Sequence, residues 1–414
     1  MAGEGFTILH ASDFQLDAPL GGLRWIPDAI EEAVRSAPED AALRVFDLAI
    51  ERNVDMLALT GNLLCPNRSS ARSLSFILTQ FTRMHEHGIP VAWATGISDP
   101  LDAWPSSVRW PDSSIRFDRG AVDRRLMTLN GVDVEVLGCG GDAAGKIHPT
   151  WFDGLSRNEH QLVVGGGTVD TFNKLEAAPL WLLGGRSYRD HLVDGNADVF
   201  YAGLTQGRCL ADSGSRGAQL IHVNEQAVCE QLDCAAIGYE RISIDAKSVR
   251  TVDDLELLLL EYANTNNWHN DRVTLVEWDI NCSLAANFFH NSNIEFMQWQ
   301  QEFARHTMVS TTSVFTIGVN VHRGQHVAQL TESDNLLSDY LFALESLREN
   351  GWSEMELEGA SGLEFTTNDW ARVDEDLNGL RTLDDAAHLG ELLLGRSDVS
   401  VNSLTYNDRE SEAA

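Results

Sequence analysis

Residues 6–15 read Phe6-Thr7-Ile8-Leu9-His10-Ala11-Ser12-Asp13-Phe14-Gln15. A short apolar run ends in an aspartate and passes into a polar loop. Runs of this length and composition form strands buried on both faces, as in parallel sheets. In open α/β sheets, ligands bind beyond the carboxyl ends of the strands. Asp13 is therefore placed where a metal-binding or catalytic carboxylate would sit. Gln15, two residues on, is a weak donor for a cation.

The same unit recurs downstream. Residues 40–52 carry a broad helical apolar face, and Val54–Thr60 is the next apolar run, ending in Gly61-Asn62. Ser69 or Ser70 is placed to cap a helix reaching His87, with Gly88 as its stop. Ile89–Thr95 is a third run, ending in Gly96-Ile97-Ser98-Asp99. Strand and helix in alternation predict a largely parallel sheet. From residue 115 the pattern turns to short strands. Arg124–Leu129 and Val132–Leu137 flank Asn130-Gly131, a hairpin signal. Further strands are expected at Gln161–Val164, Leu180–Leu183, Phe200-Tyr201, Ala218–Val223 and Ala227–Leu232. Two sheets packed face to face with helices outside follow from this order. Beyond residue 240, strands at 241–244, 273–280 and 313–322 alternate with helices at 252–263, 294–306 and 332–348. These form a smaller α+β region, followed by an acidic stretch and one amphipathic helix at 377–394.

Composition narrows the class. With 43% hydrophobic and 22% charged residues over 414 positions, the chain is long enough for two cored domains. No basic, then apolar, leader and no membrane-length apolar run is present, so the expected location is cytoplasmic, with no membrane association. The cysteines (Cys65, Cys139, Cys209, Cys229, Cys234, Cys282) form no C-x-x-C pair and are expected as reduced thiols. The formal net charge is −32, about −13 over residues 1–240 and −19 over 241–414. Nucleic-acid affinity rests on neutralising phosphates, so DNA binding is disfavoured unless a local basic patch exists. His10, His148, His160, His191 and His222 are expected as structural or surface residues. Most tryptophans are expected as anchors, with Trp104-Pro105 and Trp110-Pro111 as an alternative exposed patch.

The strand ends resemble those of the calcineurin-like metallophosphoesterases, in particular the SbcD/YhaO-type DNA-repair exonucleases. Supporting segments are Ile50–Asp55, Gly88–Val91, Tyr201–Arg208 and Ser213–Gly217. The resemblance implies a four-layer α/β/β/α sandwich with a smaller α+β C-terminal cap domain. The expected divisions are residues 1–238, 239–350 and an acidic segment 351–414. It also implies five motifs holding two ions about 3.5–4 Å apart for in-line phosphoryl displacement, with manganese suited to such ligands.

Against those motifs the chain reads Asp13-Phe14-Gln15, Gly61-Asn62, Gly96-Ile97-Ser98-Asp99, Gly166-Gly167 and Gly185-Arg186-Ser187. Gln15, Ser98, Gly166, Gly185 and Ser187 stand where the family carries histidine. Asn62 stands for the bridging aspartate and Ile97 for the asparagine. Of the ligands only Asp13 is kept, while Asp99 is a loop-supporting residue in the family. A neutral Asn62 cannot screen two cations as a carboxylate does, and Arg186 adds positive charge. No metal and no catalytic residue are therefore expected. Asp13, Gln15, Asn62, Ile97, Ser98, Asp99, Gly166, Gly185 and Ser187 are read as vestigial positions.

The expected function is a catalytically inactive exonuclease-subunit homologue acting as a scaffold or regulatory partner. The alternative is a divergent phosphoesterase or exonuclease with a rebuilt site, using manganese or a carboxylate cluster drawn from Asp13, Asp17, Asp99, Asp170 and Asp190. A DNA-binding module without chemistry is a third reading, opposed by the charge. Expected partners are a coiled-coil ATPase of the SbcC/YhaN type and a second copy of the chain; residues 377–394 either dock the ATPase or pack on their own domain.

Overall fold

The computed structural model describes residues 5–322, except 24–25, 27, 156, 159, 171–176, 225, 248, 267, 269–271, 283–293 and 311–313, and beyond them residues 340, 343 and 344. Residues 1–322 form one compact unit. The helices expected at 332–348 and 377–394 lie outside the described residues.

The chain opens with β1 (Phe6–Ala11), α1 (Asp28–Glu51), β2 (Met56–Thr60), α2 (Ala71–Glu86) and β3 (Val91–Ala94). Next come β4 (Ser114–Phe117), β5 (Asp123–Leu129), β6 (Val132–Gly140), β7 (Gln161–Gly166) and β8 (Leu180–Leu183). β9 (Asp190–Asp194), β10 (Ala197–Tyr201), β11 (Gly217–Val223) and β12 (Ala227–Asp233) complete two sheets. β13 (Ile237–Ala246), α3 (Val252–Thr265), β14 (Val273–Cys282), α4 (Ile294–Ser310) and β15 (Val314–His322) build a third.

The first sheet runs β12-β11-β1-β2-β3-β4, with β1 to β4 parallel and β11 antiparallel to β1. The second runs β5-β6-β7-β8-β10-β9, parallel from β6 to β10 with antiparallel edges. The third, β13-β14-β15, is wholly parallel, with α3 and α4 following β13 and β14 in the chain. This is the mixed α/β fold expected from the sequence.

Local chemistry explains the elements. Ser70 caps α2 by accepting the Ser73 N–H at 3.1 Å, and Gly88 at φ +71° ends it. Asn130 and Gly131 both take positive φ, as a two-residue hairpin between β5 and β6 requires. α1 begins twelve residues earlier than expected and runs through Pro38. The reason is tertiary: Ile30, Val34 and Ala37 pack with Tyr239, Leu275 and Phe315 of the third sheet.

Three apolar layers hold the sandwich. Phe46 and Phe81 of the helices pack with Leu9, Leu57, Leu59 and Trp93. Trp104 and Trp110 lie 4.9–5.3 Å from each other and from Trp93, so they anchor this layer and form no exposed patch. Between the sheets, Ile8, Met56 and Ala92 face Val134, Val136, Leu162, Val164 and Leu182. Outside the second sheet, Trp181, Leu183 and Val199 lie under Phe152 and Ile147. Among the described residues this outer cover is a 3-10 turn, Pro149–Phe152, with adjoining loops.

The inner face of the second sheet tapers. β6 presents Val134 and Val136, then Gly138 and Gly140. β7 presents Leu162 and Val164, then Gly166. From β8, Leu180 and Leu182 lead to Gly184 just past its end. Each row ends in glycine near the strand tip. There the sheets meet backbone to backbone: a Cβ on Gly184 would lie 1.8 Å from the Thr60 carbonyl oxygen, and one on Gly166 2.0 Å from that of Thr95.

Candidate functional site at the strand tips

Asp13 follows β1 in a left-handed conformation, φ +54°, as does Asn62 after β2 at +56°. Both residue types tolerate this region. Their loops are stitched together: Asp13 N–H donates to the Gly61 carbonyl, and Gln15 N–H to that of Asn62, each at 3.0 Å. Asp13 Oδ1 accepts from Asn62 Nδ2 at 2.8 Å. Asp13 Oδ2 accepts from the Ser12 hydroxyl at 2.7 Å and from Gly185 N–H at 3.1 Å. The Gln15 side chain also acts on Asp13, lowering its pKa. On its other side, Asn62 Oδ1 accepts from Ser98 N–H at 3.1 Å and Ser98 Oγ at 3.0 Å.

Asp99 completes the set. Its Oδ1 accepts from Gly96 N–H at 2.6 Å and Asn62 N–H at 3.0 Å, and its Oδ2 from Leu63 N–H at 2.8 Å. Both carboxylates are almost wholly excluded from water. Loss of water raises the Asp13 pKa, against the hydrogen bonds that lower it. The same loss raises Asp99 to about 6, its three backbone donors opposing and the Asp13 charge adding.

Six of the nine positions singled out in the sequence therefore share one hydrogen-bonded network: Asp13, Gln15, Asn62, Ser98, Asp99 and Gly185. Gly166 lies beside it, under the Thr95 carbonyl. Ile97 is half exposed and leans over the Gly145 turn. Ser187 is exposed, and its carbonyl accepts from Leu204 N–H and Arg216. Arg186 stacks 4.0 Å from the Tyr201 ring centre and pairs with Asp190.

The wider carboxylate cluster does not assemble. Asp170 pairs with Lys146 and Asp17 accepts from Cys65 N–H. Among the described residues, no group of three or more histidine, cysteine, aspartate or glutamate side chains is placed to hold a metal ion. His148 and His191 pair with Asp142 and Asp198, and His222 bonds Thr7. All six cysteines are free thiols.

Sequence reasoning missed three supporting groups. Ser12 donates to Asp13, and Thr205 Oγ1 holds the Ser12 carbonyl at 2.9 Å. Arg208, mostly buried, donates to the carbonyls of Phe14, Gln15 and Ala18 and fixes the loop after β1. Burial lowers its pKa to about 10. Its signal was present in Gln206-Gly207-Arg208. His10 was expected to be structural, and the structure adds its partner: it lies wholly buried below the network, with Nε2 2.9 Å from Thr60 Oγ1.

A layered sandwich whose loops converge at the carboxyl ends of parallel strands defines a mixed α/β protein, consistent with a fold of the metallophosphoesterase type. The chain is 24% identical over 271 residues to an uncharacterised metallophosphoesterase, YhaO, of Bacillus subtilis (strain 168); the match covers 60% of this chain and 65% of that protein. The chain thus spans just under two thirds of this relative's length. No protein-family model matches the chain. Among solved structures, the GAP50 anchor of the inner membrane complex of Plasmodium matches 56% of this chain and 89% of its own at 9% identity, with a TM-score of 0.31.

The relative's name implies metal, and the residues here can be tested against it. A hard cation needs oxygen or nitrogen lone pairs turned inward and room for its shell. Both oxygens of Asp13 face N–H or O–H donors, and both oxygens of Asp99 face backbone N–H groups. No imidazole fits at Gly166, where even a Cβ collides with backbone. The residues present do not fit a two-metal centre.

Proposed function

We propose that the chain is a non-hydrolytic member of the SbcD/YhaO-type exonuclease family, serving as a scaffold or regulatory subunit. The observation carrying this reading is the Asp13–Asn62–Ser98 network, which places donors where a cation would need lone pairs. The proposed partner is a coiled-coil ATPase of the SbcC/YhaN type, with a second copy of the chain as a further partner. The net charge of −32 argues against DNA as a direct ligand. Among the described residues no helix is long and apolar enough to cross a membrane, and a cytoplasmic site of action is part of the proposal.

The test is an assay of the full chain with excess Mn²⁺ on single-stranded DNA, double-stranded DNA and a generic phosphodiester. No turnover is expected. Metal-dependent hydrolysis lost in Asp13→Ala sinks this reading. It would favour the second one, a phosphoesterase with a rebuilt centre, which draws on two buried carboxylates of raised pKa lying on either side of Asn62.

A further inference from the structure

Four separate segments are joined through two side chains, Asn62 and Asp13. Asn62 gives its amide N–H to Asp13, which in turn accepts Gly185 N–H from the loop after β8. Its amide oxygen takes both the N–H and the hydroxyl of Ser98, after β3. Its own backbone N–H is held by Asp99. We propose that Asn62 is the clamp of the strand tips: a neutral group that ties the ends of β1, β2, β3 and β8 together, as a cation between carboxylates would. This rests on the reading that no metal acts there.

The chemistry selects asparagine. A carboxamide presents donors on one edge and an acceptor on the other, which matches Asp13 on one side and Ser98 on the other. Aspartate would set an acceptor against the acceptor Asp13, which is itself buried, at a position that is only partly open to water. Alanine would leave Asp13 Oδ1 and the Ser98 donors short of a partner. The left-handed backbone at +56° further favours asparagine over larger side chains. Since every bond in the set is internal, the clamp closes without metal.

The test measures thermal unfolding of the full chain in EDTA and in excess Mn²⁺. The wild-type midpoint is expected to be the same in both. Asn62→Asp should lower it by roughly 5–10 °C. Asp13→Asn alone should lower it by less. The double variant Asp13→Asn/Asn62→Asp restores a donor–acceptor pair with unchanged total charge, and should recover at least half of the Asn62→Asp loss. If Asn62→Asp does not fold, recovery of folded protein in the double variant is the readout.

Three results overturn the clamp: an Asn62→Asp midpoint equal to wild type, a double variant no better than its two single changes combined, or a wild-type midpoint that falls in EDTA. Hydrolysis by a wild type whose midpoint ignores EDTA would instead sink only the functional reading.

Discussion

The middle and the tip of the sandwich are built on opposite plans. In the middle, Val134, Val136, Leu162, Val164 and Leu182 hold the sheets apart with a full side-chain layer, the ordinary arrangement at about 10 Å spacing. At the tip, Gly166 and Gly184 let the sheets close onto the carbonyls of Thr95 and Thr60. The fold leaves a crevice at this end. Here glycine backbone and a hydrogen-bonded network fill it. Stability in the middle comes from apolar area; at the tip it comes from close backbone fit and the hydrogen-bonded network around Asp13 and Asp99.

Glycine 184 and Leu182 test this contrast two residues apart on the same face. Gly184→Ala forces a Cβ against a backbone oxygen that cannot move alone, so a loss of about 4 kcal/mol or more, or no folded protein, is expected. Leu182→Ala leaves a void and should cost about 2–4 kcal/mol. Urea unfolding of both variants checks the order. If the glycine change proves the milder one, the pinched tip is not as described.

The buried imidazole between the two regions gives a pH test. Burial holds His10 down at about 3, against 6.5 for the free side chain. Between those values the unfolded chain takes the extra proton, so the His10 contribution is whole above pH 6.5 and is lost as pH falls toward 3. Asp99, raised from 3.8 to about 6, has the opposite slope. The folded state holds its proton, and that contribution is lost as pH rises through 6. His10→Gln should therefore shrink the stability lost between pH 7 and 5 by about 2 kcal/mol. Urea titrations at the two pH values measure it, and an unchanged difference would mean that the imidazole is hydrated.

The smallest effect is expected at Ser98→Ala. It removes one of two donors to Asn62 Oδ1 and keeps the backbone one, for about 0.5–1 kcal/mol. A loss as large as that of Leu182→Ala would mean that the hydroxyl, rather than the backbone, carries that side of the network.

Much of this was legible in the sequence. Apolar runs ending in polar tips gave the parallel strands, Ser70 and Gly88 gave the limits of α2, and Asn130-Gly131 gave the hairpin. β9 escaped notice because Asp190–Asp194 has no apolar run, although Asp194-Gly195 before β10 is a turn signal. β4 is a four-residue edge strand placed by its neighbour β3. The early start of α1 depended on contacts with residues more than 200 positions away.

At the site, residue identities at the strand tips were readable, but their mutual bonding was not. Periodicity does not say that Asn62 turns its amide edge to Asp13 and its oxygen to Ser98. The taper was written in the sequence as well, as Val-x-Val-x-Gly-x-Gly in β6 and Leu-x-Val-x-Gly in β7. Its meaning needs the facing sheet.

The pairing of β1 with β11 has a further consequence, for how the chain is made. On the ribosome, β1 to β4 with α1 and α2 emerge early, yet one flank of β1 stays open until residues 217–223 arrive. At about 5–20 residues per second, that leaves roughly 10–40 s in which an apolar strand offers unpaired backbone to any passing neighbour. During synthesis, therefore, the strand that anchors the finished centre also carries an edge that the chain itself closes only once residues 217–223 have been made.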